Sequence, residues 1–335
     1  EAMEERHWTP ERLLKLSGGY WEACVLHSAV ALDLFTRIGD QRIGAWGLAR
    51  QANASEDAMA RFLDALVAMG LLVKDARGYA NTPASREYLC ADAKENIGFI
   101  IRHHHHLMES WSRLPEAVAT GKPIDHPART SEYKRREAFL MGMFNLAMQL
   151  APRLVPAVDL RGCRTLLDLG GGPGTYAIHF CRHYPELTAT VVDLDSTRPF
   201  AEETIRRMGM QQRVTFKPGN YIEERISGQF DAVWMSHILH GESAADCQRI
   251  IQMAADCLNP GGLAIIHEFI LADSMDRPLF PALFSLNMLL VTEYGRAYSQ
   301  AQLTDMVKQA GLTDVARLDF SGPTDSGLLR AVKPG

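Results

Sequence analysis

The chain has 335 residues, of which 47% are apolar and 22% are charged, and its net charge is −5. This length is comfortable for two domains, and the composition is that of a globular protein. The negative charge gives no electrostatic reason to expect nucleic acid or an anionic membrane as the main partner. We see neither an apolar run of roughly 20 residues nor a signal peptide. We therefore expect a cytoplasmic protein that binds neither nucleic acid nor membrane.

About 90 residues at the start of the chain are predicted to be helical and to end in a hairpin. Leu13 to Ile38 carries a helical apolar pattern with Trp21, Val25, Ala29, Leu32 and Phe35 on one stripe. A second helix over 45–52 leads to the helix-start signal Asn53-Ala-Ser55, and a periodic helix over 58–70 closes at a glycine. A hairpin is predicted over 71–82. Helix, helix, hairpin is the order of a winged helix.

Winged helices often bind DNA, so the charges on the presumed recognition helix, 56–69, indicate whether this domain does. Arg61 is its only base, and it carries Glu56, Asp57 and Asp64. An acidic helix is poorly equipped to contact phosphates. We therefore predict that this domain serves dimerisation, and a ligand-sensing transcription regulator is the remote alternative.

Residues 95–155 are predicted to be helices rich in Met, Leu, His and aromatic side chains. Arg129 to Arg136 is interpreted as a solvated charged face, and Pro152 and Pro156 as a boundary. The run His103–His106 invites a metal interpretation, but only its first and last members share a helix face. The six scattered cysteines form no Cys-x-x-Cys pair, as in a reduced cytoplasmic protein. We predict no metal site.

From about residue 160 the pattern changes to alternating strands and helices. This alternation predicts a mostly parallel sheet that binds ligands at the carboxyl ends of its strands. The candidate strands are 165–169, 188–193, 213–217, 230–237, 263–270, 314–320 and 327–332.

The most informative stretch is Thr165-Leu-Leu-Asp-Leu-Gly-Gly-Gly-Pro-Gly174, in which a buried strand ends in Asp168 and a glycine-rich turn. Glycines allow a sharp turn and let the backbone approach a ligand closely. A helix over 176–183 follows, and the next strand ends in Asp193, an acid that could accept two hydrogen bonds from a ribose. These features predict a nucleoside-containing cofactor.

The later motifs carry a family resemblance. The strand Phe230-Asp-Ala-Val-Trp-Met-Ser-His-Ile-Leu-His240 and the turn Leu258-Asn-Pro-Gly-Gly262 before the next strand resemble class I S-adenosylmethionine-dependent methyltransferases. More narrowly, the whole chain resembles the small-molecule O-methyltransferases of the acetylserotonin, caffeic acid and hydroxyneurosporene type. The resemblance implies an α/β fold: a winged-helix dimerisation domain (1–95), a helical linker at the substrate pocket (96–158) and a Rossmann-like domain (159–335) with a seven-stranded sheet.

The resemblance also implies which residues hold S-adenosylmethionine, whose product is S-adenosylhomocysteine. Asp168, Gly170 and Gly172 would cradle its methionine part, and Asp193 would bind the ribose. Further cofactor contacts are implied for Leu194, Asn220, Tyr221 and Ser236. Asn220 is a departure, since the family prefers Asp, but an amide can still accept a hydrogen bond from the adenine amino group.

His240 falls on the catalytic histidine of the family and Glu268 on the acid that orients it. Imidazole readily takes up a proton near neutral pH, and a carboxylate on its far nitrogen selects the tautomer. The resemblance thus implies a homodimer that methylates a hydroxyl of a small aromatic or polyketide-like acceptor. We expect the acceptor pocket to include Trp111, His237, Asn287 and Met288.

The chain departs from the family's motifs in two places. Gly241-Glu242 follows His240 where the family has Asp-Trp, and Ala297 replaces a second acid. Two enzyme alternatives stay open. The histidine run 103–106 leaves open methyl transfer to carbon, for example on a tetrapyrrole whose central metal a histidine could ligate, and the Gly241-Glu242 departure leaves open a reaction other than methylation.

Overall fold

A computed structural model describes residues 7–124 and 132–335 of the chain. The chain divides into two compact units, the first formed by 1–107 with 132–145 and the second by 108–131 with 146–335. Two long helices, α7 (Gly98–Ser112) and α9 (Glu132–Leu154), contribute residues to both units. The charged stretch from Arg129 to Arg136 lies partly outside the described residues. The three-part division into 1–95, 96–158 and 159–335 stays a prediction.

The first unit is helical with one small hairpin. Besides α7 and α9 it contains α1 (Pro10–Gly18), α2 (Tyr20–Ala31), α3 (Leu34–Ile38), α4 (Ala45–Ala52), α5 (Glu56–Ala68), β1 (Leu72–Asp75), β2 (Gly78–Asn81) and α6 (Pro83–Tyr88). The predicted signals act as expected: the Ser55 side chain caps α5 by accepting from the Ala58 amide, and Gly70 turns the chain at a φ of +75°. The order helix, helix, hairpin is therefore present, and its identification as a winged helix stays a prediction.

The apolar stripe predicted over 13–38 is divided among three helices and is only partly buried. Ala29 and Phe35 lie in the core, whereas Trp21 is 67% exposed and Leu32 39% exposed. The pattern is broken at Gly19, between α1 and α2, and at Asp33, whose φ of +55° ends α2 and starts α3. The stripe thus follows the helical period without forming one continuous buried face.

The second unit is built on a seven-stranded sheet with helices on both faces. Its strands are β3 (Thr165–Leu169), β4 (Thr188–Asp193), β5 (Val214–Pro218), β6 (Phe230–Ser236), β7 (Leu258–Glu268), β8 (Thr313–Arg317) and β9 (Gly327–Val332). Its further helices are α8 (Leu114–Thr120), α10 (Thr175–His183), α11 (Arg198–Arg207), α12 (Ala244–Asp256), α13 (Leu279–Val291) and α14 (Gln300–Gln309). The strand order is β5-β4-β3-β6-β7-β9-β8, and only β9 runs antiparallel to its neighbours. This confirms the predicted mostly parallel sheet.

β5, β7 and β8 differ from the prediction at both ends, and β7 differs most. β7 begins at Leu258 rather than at residue 263 and ends at Glu268 rather than at residue 270. The turn-like residues Asn-Pro-Gly-Gly belong to the strand because its register against β6 shifts between Phe230 and Ala232. The Asn259 amide secures this irregularity by donating to a carboxylate oxygen of Asp231 at 2.8 Å.

The sheet topology determines where a site can form. From β3 the chain proceeds outward to β4 and β5, and then returns to place β6 on the other side of β3. Such a reversal of strand order leaves a crevice beyond the carboxyl ends of the central strands. Asp193, Ser236 and Glu268 are the last residues of three of these strands, and Asp168 is the next-to-last residue of β3. The predicted site residues are therefore gathered along one edge.

Among the described residues, one helix is long and apolar enough to pass a length-and-composition test for a membrane span. It covers Lys134–Ala157, and half of the tested segment is buried inside the protein. The core helix of a soluble protein passes the same test. No apolar run of this kind was expected from the sequence.

Candidate active site

The glycine-rich loop between β3 and α10 packs closely on its surroundings. Gly170 has a φ of +67°, and its amide donates to the Val192 carbonyl on β4 at 2.8 Å. A Cβ atom on Gly171 would lie 2.5 Å from the Asp168 carboxyl carbon, closer than real side chains approach one another. Gly174, with a φ of +78°, leads into α10. The loop therefore requires glycine for both conformation and space, and it exposes bare backbone at the helix N-terminus.

Asp168 lies beneath this loop with only 1% of its surface exposed. One carboxylate oxygen accepts from the Ala177 amide of α10 at 3.3 Å, and the other has no hydrogen-bond partner among the residues that the structure describes. Burial raises the pKa of this carboxyl to about 7, and the neighbouring Asp193 acts in the same direction. A buried carboxylate oxygen without a partner fits a cofactor that brings a cationic or hydrogen-bond-donating group.

Asp193, at the end of β4, ties two parts of the site together. Its Oδ2 accepts from the Gly172 amide at 2.9 Å, and its Oδ1 accepts from the Leu194 amide at 2.7 Å and the Thr197 hydroxyl at 3.2 Å. The Leu194 side chain beside it is 44% exposed. The structure thus brings the predicted ribose-binding acid directly against the predicted cofactor loop.

Two other predicted cofactor residues follow β5. The Tyr221 ring lies 3.2 Å from the position that a Cβ on Gly170 would occupy, so it borders the glycine-rich loop. Burial raises the pKa of its hydroxyl, and the nearby carboxylate of Asp193 adds to this effect. The Asn220 side-chain oxygen accepts from the Ile222 amide at 3.1 Å and so shapes the turn after β5.

Ser236 turns its hydroxyl toward a buried histidine that sequence reasoning missed. The Ser236 hydroxyl lies 2.8 Å from His267 Nδ1, and His267 Nε2 lies 3.0 Å from the Ser326 hydroxyl. His267 is fully buried, which lowers the pKa of its imidazole well below the ordinary value. Both nitrogens of this neutral ring are therefore engaged. The cofactor-contacting role of Ser236 stays a prediction.

The predicted catalytic pair is in direct contact. His240 Nδ1 lies 2.8 Å from Glu268 Oε2, and the other carboxylate oxygen accepts from the Leu239 amide at 2.9 Å. Burial alone would raise the pKa of Glu268, but His240 and His237 outweigh it, and the pKa lies well below its usual value. An ionised carboxylate only accepts hydrogen bonds, so Nδ1 of His240 carries the proton. In the neutral ring this tautomer leaves the lone pair on His240 Nε2, as a general base requires.

Aromatic side chains surround His240, and the sequence analysis did not single them out. Phe284 meets the His240 ring edge-on at 4.7 Å, and Phe269 stacks on it at 6.1 Å between ring centres. Phe280 lies 5.0 Å from Phe269 and is 37% exposed. Two features of the sequence could have indicated these aromatic residues. Phe269 directly follows Glu268, and Phe280 and Phe284 are four residues apart on α13, so they share a helix face.

The four predicted acceptor-pocket residues fall into two groups. His237 lies at the catalytic pair, with its Nδ1 3.5 Å from Glu268 Oε2. Trp111 and Asn287 bind each other instead, since the indole nitrogen donates to the amide oxygen at 3.0 Å. Met288 is 6% exposed and lies on α13, the helix that also carries Phe284. The pocket role of these four residues stays a prediction.

The two departures from the family's motifs have local structural consequences. Glu242 is half-buried, and burial together with the nearby Asp246 raises the pKa of its carboxyl. Its backbone carbonyl accepts from the Tyr298 hydroxyl at 2.6 Å. Ala297, where the family's second acid was expected, is completely buried. Neither departure disturbs the contact between His240 and Glu268.

Comparison with known proteins places this arrangement in a family. The O-methyltransferase domain model matches residues 111–313, and the O-methyltransferase dimerisation domain model matches residues 14–91. The 3-hydroxy-5-methyl-1-naphthoate 3-O-methyltransferase of Streptomyces sahachiroi is 32% identical over 97% of this chain and 95% of its own length. TcmO of Streptomyces glaucescens, the tetracenomycin polyketide synthesis 8-O-methyl transferase, is 30% identical over 94% of both chains.

A solved structure agrees with these sequence matches. An O-methyltransferase family protein from Burkholderia thailandensis superposes with a TM-score of 0.86 at 29% identity, covering 98% of this chain and 99% of that one. The predicted family, fold and cofactor are thereby confirmed. The chain belongs to the S-adenosylmethionine-dependent O-methyltransferases and carries their dimerisation domain at its N-terminal end.

Proposed function

We propose that the protein methylates a phenolic hydroxyl of a flat, fused-ring aromatic acceptor, with His240 as the general base and Glu268 as the residue that orients it. The single observation that carries this proposal is the 2.8 Å contact between His240 Nδ1 and Glu268 Oε2 beneath a wall of phenylalanines. S-Adenosylmethionine, when bound, supplies the electrophilic methyl group. The acceptor oxygen would form the new bond to that methyl carbon as the sulfur–carbon bond breaks, with His240 placed to take the proton of the hydroxyl.

His240 would take the acceptor's proton on Nε2 during this attack. Its ring is 14% exposed at the side chain, so it can reach a bound hydroxyl while most of it remains fixed by packing. The resulting imidazolium would be stabilised by the ionised Glu268, which stays in place because the Leu239 and Phe269 amides donate to its two oxygens. The proton then leaves to solvent with the product. Alignment and base catalysis are thus both supplied by this chain.

The acceptor class follows from the surfaces around the base. Phe269, Phe280 and Phe284 offer ring faces and edges for stacking, and such contacts favour a planar aromatic molecule. The names of two relatives support this class, since one is a naphthoate methyltransferase and the other serves synthesis of a polyketide.

We further propose that the enzyme works as a homodimer joined through its N-terminal domain. Several large apolar side chains on α1, α2 and α4 are exposed in the single chain, namely Leu13, Leu14, Leu16, Tyr20, Trp21 and Trp46. Large exposed apolar side chains are typical of interaction surfaces, and all of these except Leu13 lie within the match to the dimerisation domain at 14–91.

The base assignment is tested by replacing His240 with alanine. We expect His240→Ala to lose at least about 100-fold in kcat toward hydroxynaphthoate and polyphenol acceptors, the usual worth of a positioned base. Its affinity for S-adenosylmethionine, measured by calorimetry, should stay within about twofold because the base does not hold the cofactor. Glu268→Gln should lose less kcat than His240→Ala, since the glutamine still holds the His240 ring in place but no longer stabilises the imidazolium charge.

The matched control is His183→Ala, which removes an exposed histidine near the end of α10. It should leave kcat and cofactor affinity unchanged. Turnover by His240→Ala within about threefold of the parent enzyme would remove His240 from its assigned role.

A further inference from the structure

A third polar side chain lies against the catalytic pair and has no task in the proposed reaction. Within the described ranges, His237 Nδ1 is buried without a partner at hydrogen-bond geometry, and it lies 3.5 Å from the same Glu268 oxygen that contacts His240. One potential ligand atom from each of His237, His240 and Glu268 lies within 4.8 Å of the others. Two imidazoles and one carboxylate therefore lie close enough together to be brought onto one ion.

The position of His237 is determined by the backbone as well as by packing. Its φ is +56°, a left-handed conformation that is uncommon for a residue other than glycine, and its amide donates to the His267 carbonyl at 2.9 Å. Its ring lies between those of His267 and Phe269, at 4.3 Å from each. The imidazole is thus held against the carboxylate in an arrangement that the surrounding fold maintains.

The two distances to the Glu268 carboxylate are close to those that a borderline divalent cation requires. Zinc binds histidine nitrogen and carboxylate oxygen at about 2.0–2.2 Å, so tetrahedral ligands lie about 3.4 Å apart. The 3.5 Å separation of His237 Nδ1 from Glu268 Oε2 already meets this value, and the 2.8 Å contact of His240 needs to open by about 0.6 Å. The Leu239 amide on Glu268 Oε1 supplies the outer-shell support that such carboxylate ligands have.

We propose that His237, His240 and Glu268 form a binding site for a divalent cation of the zinc, cobalt and nickel class, and that an ion bound there switches off methyl transfer. The inhibition rests on the proposed role of His240. An ion on Nδ1 displaces the proton from that nitrogen, and in a neutral imidazole the proton then resides on Nε2. Nε2 is the atom that should accept the proton of the acceptor, so a metal-bound ring is no longer a base.

The test uses the full-length enzyme freed of metal by a chelator. We expect Zn²⁺ to bind at one site by calorimetry and to inhibit methyl transfer, and Co²⁺ to give the visible absorption bands of a four-coordinate site. His237→Phe retains a ring for packing but removes the ligand. It should weaken Zn²⁺ binding by at least about tenfold, since even outer-shell partners are worth 10–100-fold.

For each variant, inhibition is measured as the Zn²⁺ concentration that halves the rate which that variant shows without metal. This concentration should change from variant to variant in parallel with the dissociation constant for Zn²⁺. Retention of S-adenosylmethionine binding shows that a variant is folded, and His240→Gln provides a second, independent loss of a ligand. His105→Gln, an exposed position in the histidine run, is the matched control and should bind Zn²⁺ like the parent.

Three results would overturn part or all of the proposal. Absence of both Co²⁺ bands and Zn²⁺ binding in the parent enzyme would remove the site. Loss of binding in His105→Gln but not in His237→Phe would move it to the histidine run. Tight binding at His237 without inhibition would leave the metal site in place and contradict the role of His240 as base, so the two hypotheses fail separately.

Discussion

At the scale of single residues, two buried carboxylates of this enzyme have opposite properties because their partners differ. Glu268 is surrounded by donors and imidazoles, so its pKa lies well below the ordinary value and it stays ionised. Asp168 has one amide donor and one oxygen without a partner, so burial raises its pKa to about 7. The same residue class thus serves as a permanent charge at one place and as a group that ionises near neutrality at the other.

The raised pKa of Asp168 predicts how cofactor affinity depends on pH. S-Adenosylmethionine is cationic, so it should favour the ionised carboxylate, and affinity should rise from about pH 6 to pH 8 as Asp168 loses its proton. At pH 8, Asp168→Asn should bind S-adenosylmethionine at least about tenfold more weakly than the parent enzyme, because it loses a hydrogen bond to a charged group. The affinity of this variant should also depend less on pH. Calorimetric titration at several pH values measures both, and an equally steep profile in the variant would contradict the assignment.

The raised pKa of Asp168 also makes the stability of the enzyme depend on pH, in the direction opposite to cofactor affinity. Between its unfolded pKa near 4 and about 7, the folded enzyme holds a proton on Asp168 that the unfolded chain has released. The free energy of unfolding of the cofactor-free enzyme should therefore fall as pH rises through this range. Asp168→Asn should reduce that fall in denaturant titrations, since an amide does not ionise.

At the scale of secondary-structure elements, one hydrogen bond connects α7 with α13. Trp111 on α7 donates to Asn287 on α13 at 3.0 Å, and Asn287 is 8% exposed. α13 also carries Phe280 and Phe284, which lie beside His240 or its neighbour Phe269. The bond therefore positions the helix that supplies part of the aromatic wall.

Removing the donor should affect both stability and acceptor binding. Trp111→Phe leaves a buried amide oxygen without a partner, and we expect a loss of about 1–3 kcal/mol in the free energy of unfolding. The KM for the acceptor should rise severalfold, because α13 is less firmly held, while the affinity for S-adenosylmethionine should not change.

A paired variant separates the hydrogen bond from simple loss of volume. Trp111→Phe combined with Asn287→Leu removes both polar partners, so it should recover much of the stability lost in Trp111→Phe. Additive destabilisation by the two substitutions in denaturant titrations would show that the bond itself contributes little.

At the scale of the whole molecule, the proposed homodimer uses exposed apolar side chains of the first unit. We expect Trp21→Asp, which places a charge on a side chain that is 67% exposed on α2, to shift the enzyme toward monomer in light scattering after gel filtration. Val118→Asp, at a 62% exposed position on α8 in the other unit, is the control and should remain a dimer. An unchanged molar mass for Trp21→Asp would place the interface elsewhere.

Local signals in the sequence were sufficient for the strands of the sheet and for the cofactor loop, but not for the division of 13–38 into three helices or for α6. Short apolar runs located all seven strands, and the glycine-rich turn with Asp168 and Asp193 indicated a nucleoside. Most of these features depend on residues that are close together in the sequence. The family resemblance, carried by longer motifs, added the pair His240 and Glu268. The start of β7 was misplaced because its turn-like residues enter the strand through an irregular register with β6.

What the sequence by itself determined is therefore the order of helices and strands, the strand-end acids and the class of cofactor, since each depends on short-range patterns. Only the tertiary structure decided that Trp111 binds Asn287, 176 residues away, and that Phe284 lies beside His240. It also decided that His237 shares a carboxylate oxygen with His240. These contacts depend on how packed elements bring distant side chains together and on a left-handed turn at His237, and no local periodicity encodes them.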